Sequence, residues 1–195
     1  MNATPYSERL VGERVVLQRL REDDVGDIYV RWMNDPEVMR YLQARFETND
    51  LAHIRAFVAG FDHCDRFIFG VHADDRFIGT GTLRVNPNHR FSSIGYLIGD
   101  KDYWRGEIAL DVCRALLDFV FFERRVRKVV EPTTENHLAS NFNFKRLGFT
   151  LAARIPDLYW GGDRYQAAIY WSMAVEEWAR LRGRPVPEIP RPAVA

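Results

Sequence analysis

Hydrophobic and polar residues alternate in two rhythms along this chain, and the places where the rhythm changes predict its elements. Arg14 to Leu20 carries Val15, Val16, Leu17 and Leu20 in a strand-like run, and Asp23 to Met33 then takes up helical spacing. At Asn34-Asp35-Pro36-Glu37 an Asp stands at an N-cap position, with Pro at the first helical position and Glu in the first turn. This predicts a short helix over about Pro36 to Leu42. Asn49 or Asp50 caps a third helix, whose Leu51, Ile54, Phe57 and Val58 recur on one face.

The period then falls from about 3.6 to 2. Phe67, Phe69 and Val71 alternate, then Phe77, Gly79, Gly81, Leu83 and Val85, then Ile94, Tyr96 and Ile98, which predicts three antiparallel strands. After Gly99 a long helix begins at Arg105-Gly106. Ile108, Val112, Ala115, Leu116 and Phe119 form its apolar face, and Glu107, Asp111, Arg114 and Asp118 its polar one. A β-branched strand over Val126 to Glu131, a helix over Asn136 to Leu147 closed by Gly148, and strands over Phe149 to Ile155 and Tyr165 to Met173 follow. Strand, helix and strand in that order predict a parallel crossover. The pattern as a whole gives an α/β (α+β) class, with a mixed sheet of about seven strands and helices on both faces.

Composition narrows the function. Twenty-seven basic against twenty-seven acidic side chains leave a formal charge of +0, so no global field draws the chain to nucleic acid or to an anionic membrane. The most apolar run, Ala115 to Phe122, is interrupted by Asp118 and is far shorter than the roughly 20 residues that span a bilayer. Two cysteines, Cys64 and Cys113, make no disulfide framework, and Met1 to Arg9 shows no leader pattern, so a cytoplasmic protein is expected. Residues 1–182 read as one domain. Residues 183–195 hold four of the nine prolines and read as a flexible tail, with homodimer formation left open.

The first N–H groups of the helix after Gly99 have no partner inside the helix, and its dipole adds about half a positive charge. A pyrophosphate can therefore sit against Arg105 to Ala109, and the same stretch also reads as an ordinary helix start capped by Asp102. Three pieces of sequence bear on that choice: Trp32-Met33-Asn34-Asp35-Pro36-Glu37-Val38; Ile94-Gly95-Tyr96-Leu97-Ile98-Gly99 running into Tyr103-Trp104; and Ser140 through Lys145-Arg146-Leu147-Gly148-Phe149. In these the chain resembles the GNAT acetyltransferases, within them the group containing the RimJ and RimL N-terminal acetyltransferases, from about Val11 to Met173.

The resemblance implies the GNAT fold, with a sheet that splays between the strands at Ile98 and Val129. It implies acetyl-CoA as co-substrate, without a metal, and an acetyl group passed to a primary amine on a peptide N-terminus, an amino sugar or another small molecule. The pantetheine arm would pair with the strand at Leu97 and Ile98, the phosphates would meet Trp104, Arg105, Gly106, Glu107, Ile108 and Ala109, and Asn136, Ser140 and Asn143 would flank the arm. One departure stands out, because Glu107 occupies the place of the family's usual phosphate-loop glycine. If its carboxylate faces the phosphates, the alternative reading applies: a degenerate GNAT-fold domain that binds acetyl-CoA weakly or not at all and serves as an interaction module.

Acyl transfer to an amine needs a base, an oxyanion donor and a proton source for the leaving thiolate. A backbone N–H near Leu97 or Ile98 is the simplest oxyanion donor, and Ser140 is either the thiolate's hydrogen-bond partner or a helix cap. The family's tyrosine acid is absent, since Phe144 holds that place. His89 and Asp100 are the candidate bases, set against a loop histidine and a strand-end turn. Tyr159, Trp160, Tyr41 and Arg45 are candidates for the acceptor side, whereas His53, His63, Cys64 and Cys113 are assigned no chemistry.

Overall fold

The computed structural model describes residues 6–191; the sequence readings on Met1–Pro5 and on the last four tail residues lie outside it. Eight strands form one sheet in the order β1-β2-β3-β4-β5-β6-β8-β7. They are β1 Arg9–Val11, β2 Val16–Arg19, β3 Arg66–Ala73, β4 Arg76–Asn86, β5 Phe91–Ile98, β6 Lys128–Thr134, β7 Thr150–Trp160 and β8 Tyr165–Ala174. The helices are α1 Asp27–Met33, α2 Pro36–Met39, α3 Leu51–Ala59, α4 Ile108–Asp118, α5 Leu138–Arg146 and α6 Val175–Arg182. The chain divides into two compact units, residues 1–83 with 95–119 and residues 84–94 with 120–195.

In the first unit, α2 and α3 start where the sequence places their caps. The Asp35 carboxylate accepts from the N–H groups of Glu37 and Val38, and the Asp50 carboxylate from that of His53. Leu20, Tyr29, Trp32, Met33, Ile54 and Ile68 belong to one buried cluster. The segment Asp23 to Met33 is not one helix, because a 3-10 turn over Glu22–Asp24 ends before Gly26 and α1 begins after it. The sheet has eight strands rather than seven, because Arg9–Val11 pairs antiparallel with β2. Three residues are too few to display a period.

In the second unit, β8 pairs antiparallel with both β6 and β7. Strands β6 and β7 therefore run the same way, as the crossover reading requires, but β8 lies between them. Gly148, at φ 87°, ends α5 with its N–H on Lys145 O, while the Phe149 N–H bonds Phe144 O. β7 runs five residues past its expected end. It is interrupted by register shifts, the second between Ile155 and Tyr159.

Candidate active site

In the first unit, α4 starts at Ile108, later than the sequence predicts, and Asp102 does not cap it. Asp102 belongs to a separate 3-10 turn over Lys101–Tyr103 that is capped by Asp100. The cap position of α4 falls on Glu107, whose side chain makes no capping hydrogen bond to the first-turn N–H groups. Gly106 holds φ 90°, and a Cβ added there would meet only Arg14 Nη1, at 3.9 Å. The Glu107 carboxylate reaches Arg114, 3.6 Å away and two turns further along the helix. The departure from the family's loop thus leaves the Glu107 carboxylate directed along the helix toward Arg114.

Charges around this start are unevenly committed. Lys101 Nζ lies 2.8 Å from both Asp35 and Glu37, which hold its pKa above the ordinary lysine value, whereas Arg105 is exposed. The Trp104 indole donates to the carbonyl of Ile98 at 2.7 Å, so the last carbonyl of β5 is already engaged. Leu97 and Ile98 are buried. Asp111 is a correction to the sequence reading. It does not face solvent but is 2% exposed, and its carboxylate accepts from the N–H groups of Glu13, Arg14 and Val15 at 3.0, 2.7 and 3.1 Å.

In the second unit, β5 and β6 pair in parallel at Phe91 with Lys128 and Ser92 with Val129. At Ile94 the partner is a side chain instead, for its N–H donates to Glu131 Oε2 at 3.0 Å. Burial pushes the Glu131 carboxyl up to about 8, against the opposing pull of that N–H and of Arg84. Tyr159 titrates above the ordinary tyrosine value, chiefly through burial, with further contributions from Tyr170, to which its side chain hydrogen-bonds, and from the Glu131 charge. Tyr159, a candidate from sequence, therefore lies within the electrostatic reach of a carboxylate that sequence reading missed. The available signal was Glu131 standing between the apolar pair Val129-Val130 and Pro132.

Helix α5 is fixed by Asn141. Its Oδ1 accepts from Trp171 Nε1 at 2.8 Å and Thr133 Oγ1 at 2.5 Å, and its Nδ2 donates to Thr134 O at 2.9 Å. Beside it Ser140 is buried, three residues inside the helix from the cap His137, so it is not the capping residue. Burial draws the His137 imidazole down to about 4. Asn143 is partly buried, and Asn136 is exposed and precedes the helix.

Neither candidate base from the sequence stands out. Asp100 accepts from Arg76 at 2.6 Å and caps the turn after β5. His89 is exposed at the β4–β5 turn, where its carbonyl accepts from Arg127. Among the described residues, no group of three or more His, Cys, Asp or Glu side chains is placed to hold a metal ion, and no helix is long and apolar enough to cross a membrane.

Comparison with known proteins agrees with this architecture. The chain matches the family model of the acetyltransferase (GNAT) domain over residues 14–150. It belongs to the GNAT family, and is an N-acetyltransferase that uses acetyl-CoA. No curated protein sequence matches it. Among solved structures, the ribosomal-protein α-N-acetyltransferase RimL in complex with coenzyme A is similar at a TM-score of 0.78 and 16% identity, over 87% of this chain and 99% of that one. RimJ of Mycobacterium smegmatis in complex with CoA-disulfide gives 0.75 and 15%, over 90% and 95%. Spermidine N-acetyltransferase from Vibrio cholerae in complex with CoA and spermine gives 0.75 and 16%, over 85% and 98%. At these identities the likeness is one of fold.

Proposed function

We propose that this enzyme acetylates a primary amine whose own pKa lies near 8, such as the α-amino group of a peptide or an amino-sugar amine, by direct attack in a ternary complex with Glu131 as the general base. The observation that carries the reading is the Glu131 carboxyl, held by the Ile94 N–H and raised by burial to about 8. A base transfers protons most effectively near its own pKa, and an α-amino group titrates at about 8 where a lysine or polyamine amine titrates at about 10. Taking a proton from the former is close to thermoneutral, and from the latter uphill by roughly two units.

Acetyl-CoA supplies the activated acetyl group. In the first unit the start of α4, with Trp104, Arg105, Gly106, Glu107, Ile108 and Ala109, offers partners to the phosphate end; in the second unit Asn136 and Asn143 offer theirs to the arm. The backbone at Leu97 or Ile98 donates to the acetyl oxygen as charge develops there. The amine nitrogen bonds to the acetyl carbon and passes its proton to Glu131. The C–S bond breaks, and the Ser140 hydroxyl hydrogen-bonds the departing sulfur.

Initial rates with three acceptor sets test this: peptides with a free α-amino group, the same peptides blocked at the N-terminus but carrying lysine, and spermidine. The expected order places the first set well ahead at pH 7.5. Faster turnover of blocked lysine peptides or spermidine would overturn the assignment.

A further inference from the structure

We infer that Arg14, 92 positions before Gly106 in sequence, is a cofactor-binding residue that donates to the diphosphate of coenzyme A. The inference rests on the family's use of acetyl-CoA and concerns a residue that the phosphate-loop motif does not contain.

Two observations in the first unit carry it. Arg14 Nη1 lies 3.9 Å from where a Cβ on Gly106 would stand, beside the start of α4, whose cap residue Glu107 makes no side-chain capping hydrogen bond. The Arg14 backbone is also fixed from the same helix. The buried Asp111 carboxylate binds the N–H groups of Glu13, Arg14 and Val15, and a Cβ on Gly12 would lie 2.6 Å from its Oδ2, so only glycine lets the loop approach so closely. A helix start and a guanidinium beside it are thus held together through a residue one turn inside the helix.

The charge inventory supports the same role. Lys101 is engaged by Asp35 and Glu37, and Glu107 is drawn toward Arg114, whereas Arg105 and Arg14 are both exposed. Arg14 also lines a groove of about 540 Å³ with Arg9, Gly12 and His72, so it is open to a ligand. Glu13, Asp74 and Asp75 line that groove too. The groove as a whole is therefore not a cationic trough, and the assignment is confined to Arg14. A planar fork of donors on a fixed backbone suits a diphosphate, whose oxygens take charge-assisted hydrogen bonds.

Calorimetric titration of the unaltered protein, Arg14→Ala and Arg14→Lys with CoA, 3′-dephospho-CoA and pantetheine tests the inference at fixed ionic strength. Arg14→Ala is expected to raise Kd for CoA and for dephospho-CoA alike by about tenfold or more, with pantetheine unaffected and Tm unchanged because the side chain is exposed. Arg14→Lys keeps the charge but not the fork, and should lose less. Unchanged CoA affinity in Arg14→Ala overturns the assignment. So does a loss confined to CoA, which would place the guanidinium on the 3′-phosphate. Failure of the unaltered protein to bind CoA at all would instead reject the cofactor reading itself, and the inference with it.

Discussion

The indole of Trp32 occupies the space that a side chain on Gly99 would need: a Cβ there would lie 2.0 Å from Trp32 Cδ2. Trp32 is buried and packs on Phe77 at a ring separation of 5.1 Å, so it has little room to yield. The first two sequence pieces that resemble the family are therefore the two sides of one contact. Gly99→Ala should lower stability by about 1–3 kcal/mol through overpacking. On a Trp32→Ala background the same change should cost almost nothing, and a double-mutant cycle by chemical denaturation measures the difference.

Glu131 should give the enzyme its pH profile. With a carboxyl raised to about 8, kcat/KM should rise as pH increases through that value, and Glu131→Gln should lower kcat by about 10²–10⁴-fold and remove its ionisation from the profile, leaving that of the acceptor amine. Stability should run the other way. A folded-state value above the unfolded one near 4.3 means that the contribution is fully present at acid pH, below the unfolded value, and is lost as pH rises through about 8. Scanning calorimetry between pH 5 and 9 should show the unaltered protein losing Tm relative to Glu131→Gln. Parallel curves would remove Glu131 from the role.

Glu107→Gly restores the family's usual loop residue and should change CoA affinity by less than about threefold, because the Glu107 carboxylate extends toward Arg114 and exposed charges interact weakly. A gain of several orders of magnitude would show that the carboxylate opposes the phosphates after all.

Gly183 and Arg184, beyond the end that the proline content suggests, still make contacts. Gly183 takes a left-handed φ of 61°, the Arg184 N–H bonds Ala179 O at 2.9 Å, and the Arg184 guanidinium sits 3.6 Å from the Phe122 ring centroid. Truncation after Arg184 should leave Tm unchanged. Truncation after Arg182 removes both the cap and the cation–π contact, and should cost about 1 kcal/mol in thermal unfolding.

Elements with a clean period and a cap were legible in the sequence: α2 and α3 from Asp35 and Asp50, and the β3–β5 meander from alternation. The extension of β7 was not, because Pro156 interrupts the run in the sequence, whereas a positive φ at Asp157 and register shifts let the pairing resume at Tyr159. At the site, motif resemblance pointed to the start of α4 and to α5. It did not reveal Glu131 or Arg14, whose settings depend on partners 37 and 97 positions away in sequence. Asp111 misled for a related reason. A carboxylate on the polar side of a helix ordinarily faces water, and only the arrival of the loop before β2 makes its burial favourable.

The same carboxylate alters the mechanical character of that loop. The amides of Glu13, Arg14 and Val15 all end on one buried acceptor, so none can be released without disturbing the others. A surface hairpin connection of this length would ordinarily fray residue by residue on the timescale of amide hydrogen exchange. Here the three amides should open as one event, coupled to the integrity of the first turns of α4, so their exchange rates would register occupancy at the start of that helix from the far side of the sequence.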